Sequence, residues 1–143
     1  MTDIAELSPI ERVQAIEDWI KQQPQIDIPV NHYFAGGVYE REMIAPANST
    51  FTGKIHLTEH LAKLVSGTMT ITDGDTAGTF TGPKTFISKP GDKRAGIAHT
   101  ECVFSTYHAI DEQPIDEIEK ALVVDTIEQY RLAQDKTEAL CHL

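Results

Sequence analysis

Two histidines and a lysine fall within one short stretch, Thr52 to Gly67, which reads TGKIHLTEHLAKLVSG. A neutral imidazole can ligate a metal, move a proton or hydrogen-bond an anion, whereas a charged ammonium can only attract an anion because it has no lone pair. Thr52, Lys54 and His56 alternate with Phe51, Gly53 and Ile55. That is the period of a strand, so Lys54 and His56 are expected on one face. His60 follows four residues later. Across a bend it could converge with His56 on one metal ion or one anionic ligand. The same spacing also describes two exposed histidines at a strand end, so the surrounding elements must decide.

Ser8-Pro9 followed by IERVQAIEDWIKQQP predicts a helix over about 9–22, with Ser8 as N-cap and Pro9 at the first helical position. Ile10, Val13, Ile16 and Trp19 or Ile20 form its apolar stripe, which needs a docking surface. From Ile26 to His108 the chain alternates in short runs between turn formers, the all-β texture. Strands are predicted near 38–45, 51–56, 60–66, 68–72, 77–81, 84–88, 93–98 and 102–108. The turns between them include Asp73-Gly74-Asp75, Gly82-Pro83, Pro90-Gly91-Asp92 and His99-Thr100-Glu101. So many short strands must protect their edges, and a closed barrel or jelly roll over about 36–108 does so. Helices return over about 114–137: one from Pro114 to Ala121, and one opened by a capping box at Asp125-Thr126-Ile127-Glu128.

The bulk numbers restrict what such a barrel can meet. A chain of 143 residues, 41% hydrophobic and 24% charged, is read as a single domain, 1–143, with a real core. Its 22 acidic residues against 12 basic ones give a net charge of −10, which excludes nucleic acid and disfavours an anionic membrane. Lys84, Lys89, Lys93 and Arg94 nonetheless lie close together in sequence, a local basic patch able to attract a small anion. No apolar run is long enough to span a bilayer. The N-terminus is acidic where a signal peptide would be basic, so a cytoplasmic location is expected. Cys102 and Cys141, one in a strand and one near the end, suggest reduced thiols and no disulfide.

From His32 to His108 the chain resembles the small single-domain cupins, most closely the short cupin-like proteins of bacteriophage genomes. The resemblance rests on GGVYEREMIAP, on TGKIHLTEH with Gly67 seven residues beyond His60, on SKPGDKRAG and on STYHA. It implies an all-β fold, a double-stranded β-helix or jelly-roll cupin barrel with flanking N- and C-terminal helices, and a phage-encoded protein of the host cytoplasm. The first cupin motif runs Gly, five residues, His-x-His, three or four residues, Glu, six residues, Gly. Laid on this chain it puts Lys54 and His56 at the two His places, His60 at the Glu place and Gly67 at the last Gly. In the second motif Pro90-Gly91 makes the turn and Arg94 stands at the His place; an alternative alignment uses Gly96 and His99.

Lys54 and Arg94 cannot ligate a metal, so the usual four-ligand cupin centre is not expected. A divalent transition metal on His56, His60 and a third histidine, His108 or His32, stays open. The same substitutions suit an anion. If Tyr39, Arg41 and Met43 face inward, then Tyr39, Arg41, Lys54, His56, His60 and Arg94 line a site for a small anionic molecule such as a nucleotide or sugar phosphate. Three functions are therefore carried forward. The first is a small-molecule binder. The second is a metal-dependent isomerase, epimerase, oxygenase or lyase, with His56 or His60 as base and Tyr39 or Tyr107 as acid. The third is a structural or assembly protein. A homo-oligomer, dimer or higher, is expected from the apolar stripes of the flanking helices.

Overall fold

The computed structural model describes residues 7–72 and 77–141, without the side chains of residues 139 and 141. The turn expected at Asp73-Gly74-Asp75 and the Cys141 thiol lie outside the described residues.

Helix α1 spans Pro9–Lys21. Its capping box is complete: Glu11 N–H donates to Ser8 Oγ at 3.3 Å and Ser8 N–H donates to Glu11 Oε1 at 3.3 Å. The expected apolar stripe is only partly used. Val13 is fully buried, whereas Trp19 is 56% exposed, because the helix is held to the barrel as much by polar contacts as by its stripe.

Strands β1 (Val30–Ala35), β2 (Val38–Ala45), β5 (His60–Ser66), β8 (Lys84–Ser88) and β10 (Cys102–Ala109) form an antiparallel sheet in the order β1-β2-β10-β5-β8. A second antiparallel sheet has the order β3-β9-β6-β7, from Thr50–Thr52, Ala95–Ala98, Thr68–Thr72 and Ala77–Thr81. The two face each other across Met43, Ala45, Leu64, Met69, Ile71, Ala98 and Cys102. Full burial of each larger apolar side chain contributes about 1.5–3 kcal/mol. Gly67 joins β5 to β6 at φ +92°, and a Cβ there would run into the Glu101 carbonyl and Cys102. Only glycine fits that turn. The protein is thus mainly β, a jelly roll flanked by helices.

The strand expected over 51–56 is broken. β3 ends at Thr52, and the chain crosses Gly53-Lys54 to form β4 (Ile55–His56), which pairs with β11 (Val123–Val124) rather than with β9. Two partners on different sheets pull the run apart. Two strands escaped the sequence reading: β1, joined to β2 by Gly36-Gly37, and the two-residue β11. Helix α2 (Ile115–Leu122) packs Ile118 and Leu122 around Tyr39. In α3 (Ile127–Cys141) the reciprocal cap sits one residue beyond the expected Asp125 pair. Gln129 N–H donates to Thr126 Oγ1 at 3.1 Å, and Gln129 Oε1 accepts from the backbone of Asp125 and Thr126. No helix among the described residues is long and apolar enough to cross a membrane.

Candidate functional site

Alternation along β2 and β10 sets the inward rows. On β2, Tyr39, Arg41 and Met43 share one face, and on β10 Phe104, Thr106 and His108 share another; all six line a single cavity of about 260 Å³. Tyr107 lies on the opposite face of β10 from Thr106 and His108, outside this cavity, so it cannot be the acid suggested for the enzyme reading. From the other sheet come Phe51, Met69 and Ile71, and α2 closes the mouth with Ile118, Glu119 and Leu122. β4 supplies His56 and is tied to that closing segment by its pairing with β11 and by Leu57 N–H donating to Leu122 O at 2.8 Å.

Three histidines meet at one side of the cavity: His56 and His108 line it, whereas His60, expected in the lining, packs against their rings without lining it. The His60 ring lies 4.3 Å from His56 and 4.4 Å from His108, and His56 and His108 are 6.4 Å apart. His60 and His108 are buried. His60 Nδ1 is 3.0 Å from the Thr58 carbonyl, which can only accept, so Nδ1 carries the proton and Nε2 keeps a bare lone pair. His60 Nε2, His56 Nδ1 and His108 Nδ1 are all buried without a hydrogen-bond partner. His108 Nε2 is anchored at 2.9 Å to Thr106 Oγ1. Burial pushes His56 down to about 3, helped by His60, His108 and the arginines, and pushes His108 down to about 4. Burial also lowers His60, against the bond to Thr58. All three are neutral at pH 7, the form that ligates.

Such a donor set suits a divalent transition metal. The arrangement is less complete, since no group of three or more His, Cys, Asp or Glu among the described residues is drawn together so as to hold an ion. The orphaned nitrogens carry more weight here because each is a buried polar atom with nothing to bind.

The cations are disposed unequally. Arg41 stands on the inward row of β2, and it makes no salt bridge with another described residue. Arg94 lines the same cavity, donates from Nη1 to Ser88 Oγ at 2.6 Å and lies over the Phe86 ring. Lys54 also lines it, but at the rim, 3.7 Å from Glu119 and 3.4 Å from Asp125. His32 Nδ1 is 2.6 Å from Tyr39 Oη, and burial holds the Tyr39 phenol above its ordinary value. Lys93, part of the basic patch seen in sequence, is not available to a ligand. Its Nζ is buried under α1, donating to Glu17 at 2.6 Å and Gln14 at 2.9 Å. Lys84 lies against Phe80 and Phe86 instead. The patch is therefore dispersed by the fold.

Sequence reasoning missed Thr58, Ser88 and Thr106, which fix His60, Arg94 and His108, and Glu119, which holds Lys54. These polar partners carry no signal of their own in a single sequence.

No protein-family model matches the chain, and no curated protein matches it in sequence. Solved structures do resemble it. KdgF from a Halomonas species superposes with a TM-score of 0.52 at 8% identity, over 68% of this chain and 94% of that one. A cupin superfamily protein from Desulfitobacterium hafniense DCB-2 gives 0.50 at 10% identity, over 62% and 83%. The plu4264 protein of Photorhabdus luminescens gives 0.50 at 11%, over 58% and 76%. At such identities the likeness is one of fold, and that fold is the cupin jelly roll.

Proposed function

We propose that this cupin-fold protein binds a small anionic molecule in the barrel, with Arg41 and Arg94 supplying the charge. The observation that carries this reading is Arg41: a guanidinium on the inward row of β2, without an ion-pair partner among the described residues, above a cavity whose acid, Glu119, already faces Lys54. A charge-assisted bond from a guanidinium to a bound anion is among the stronger polar contacts a site can use. Mass spectrometry of the small molecule released on denaturation, together with anion titrations of Arg41→Ala and Arg94→Ala, tests the reading. Each substitution should weaken binding by about 1.5–3 kcal/mol, roughly ten- to hundredfold. Unchanged affinity for every anion in both variants would overturn it.

A metal-dependent enzyme is the second reading, favoured by the three orphaned imidazole nitrogens. His56, His60 and His108 would hold the ion, which would supply Lewis-acid chemistry to a bound oxygen. Lys54 and Arg94 would remain outside the ligand set, on the cavity wall where an anionic substrate would pass them. Metal analysis of protein purified without chelator decides it, a stoichiometric transition metal favouring the enzyme. The structural or assembly reading gains if neither metal nor small molecule is retained.

The protein is also proposed to self-associate. Leu61 and Ile87 face each other across β5 and β8 on the outer surface, 51% and 64% exposed, a pair that a second copy would cover. Sedimentation showing only a 15.9 kDa species at micromolar concentration would count against it. The phage-encoded origin belongs to the same set of proposals and is tested by the genes that flank this one.

A further inference from the structure

We infer that the anion this cavity selects is a compact carboxylic acid with an apolar, ring-sized body, rather than a nucleotide or sugar phosphate; the inference rests on the anion reading above and narrows it. Size comes first. An apolar cavity of about 150 Å³ accommodates one benzene ring, so a cavity of about 260 Å³ takes roughly ten non-hydrogen atoms, a ring with a short acid arm. A nucleoside monophosphate has about twice that many, and most of it would lie outside the barrel.

Wall chemistry points the same way. Met43, Phe51, Met69, Ile71 and Phe104 make one continuous apolar surface, and Ile118 with Leu122 faces it from α2. A sugar ring against these side chains would lose its water without gaining hydrogen bonds. An aromatic or alicyclic ring loses nothing polar and gains contact with sulfur and ring edges.

Charge sets the headgroup. Lys54 is shared between Glu119 and Asp125, and Arg94 already donates to Ser88, so Arg41, exposed on the cavity wall and without a salt bridge to another described residue, is the cation best placed to meet a ligand. Glu119 on the mouth opposes a second negative charge. One guanidinium fork fits one carboxylate, whereas a phosphate dianion would need more donors than these. The hydrogen-bonded His32–Tyr39 pair, with His32 directly across the strand from Arg41, can complete the carboxylate's hydrogen bonds.

Titration calorimetry with phenylacetate, acetate, benzyl alcohol, inorganic phosphate and adenosine monophosphate, on the wild type and on Arg41→Met, separates the possibilities. Phenylacetate should bind at least tenfold tighter than each of the other four. Arg41→Met should weaken phenylacetate by roughly ten- to hundredfold and leave benzyl alcohol unchanged. Arg41 is a mouth residue, so this variant should fold, and its melting temperature checks that it has. Tighter binding of phosphate or of adenosine monophosphate, or equal binding of acetate, overturns the carboxylic-acid inference while the anion reading stands. Benzyl alcohol binding as well as phenylacetate, or no binding of any anion, overturns both.

Discussion

Lys93 and the histidine trio are both taken out of water, but the fold treats them oppositely. Lys93 is 2% exposed, and its ammonium finds Glu17 and Gln14, both on α1. Across the barrel, His56, His60 and His108 are packed ring to ring, and each ends on a buried nitrogen with no partner. A buried group that the chain itself satisfies is part of the structure. One that the chain leaves unsatisfied needs an explanation outside the fold's own hydrogen bonding. The difference teaches where to look for function: within the most basic stretch of the sequence Lys93 clamps a helix while its neighbour Arg94 lines the cavity, and the unsatisfied groups are the histidines beside that cavity.

The largest expected effect breaks the clamp. Glu17→Ala leaves a buried ammonium with only the Gln14 amide oxygen, and removal of one member of a buried pair costs about 3–5 kcal/mol. Lys93→Met removes the charge and keeps the volume, and it should be close to neutral or stabilising. Urea denaturation of the two variants measures both. If they lose equal stability, Lys93 is not a charge held by Glu17 and the contrast with the histidines collapses.

The next effect separates the two regions by pH. Burial lowers all three histidines, helped at His56 and His108 by the neighbouring imidazoles and at His60 by Arg94, so the unfolded chain takes up protons that the folded one refuses. Their stability is therefore fully present above the unfolded value of 6.5 and is lost progressively as pH falls towards the folded values of about 3 and 4. Between pH 7.5 and 5.5 each such histidine should remove about 1.4 kcal/mol. Burial pushes the Glu17 carboxyl up, but the bond and charge of Lys93, with Gln14, outweigh it and leave a net lowering. Its contribution is present above 4.5 and fails only below that. Stability measured at both pH values in wild type and His56→Gln should show a shallower slope in the variant. Equal slopes would place the titration elsewhere.

Metal sharpens the same contrast. If the orphaned nitrogens bind a transition metal, cobalt or zinc at a hundredfold excess over its dissociation constant should stabilise the wild type by about 2.7 kcal/mol. His60→Ala and acid should both abolish the gain, because a protonated imidazole cannot ligate. Glu17→Ala should keep it. A metal-induced shift that survives His60→Ala would assign the ion to another place.

How far the sequence foretold these regions depends on whether a residue's role was local. The Ser8 cap, the Gly67 turn and most strands obey rules that act within a few residues, and they lie where expected. The inward row Tyr39, Arg41 and Met43 follows from strand period alone, and all three line the cavity. What was not legible depended on partners far along the chain. Lys93 meets a helix 76 residues away, so no local pattern marks it as buried. The apparent strand 51–56 alternates well but is divided because β9 claims one end and β11 the other. Period-2 reasoning describes a strand and is blind to which sheet each part joins.

Lys54 carries the smallest predicted effect and the most direct test of that division. In sequence it shares a strand face with His56. In the structure it lies past the Gly53 break, its side chain 46% exposed, reaching Glu119 and Asp125 whose side chains are 55% and 68% exposed. Pairs this solvated contribute about 0–1 kcal/mol, and salt screens them. Lys54→Ala should therefore change stability by less than about 1 kcal/mol, and the change should shrink further in 0.5 M salt. Its effect on ligand should also be small, since Glu119 and Asp125 already take the charge that an anion would have used. Removing Glu119 reverses the balance: Glu119→Gln frees Lys54 towards the cavity and should tighten anion binding by several-fold. If Lys54→Ala instead weakens anion binding as much as Arg41→Ala, then Lys54 turns inward when ligand arrives, and the mouth formed by α2 and β11 opens its ion pairs in the course of binding.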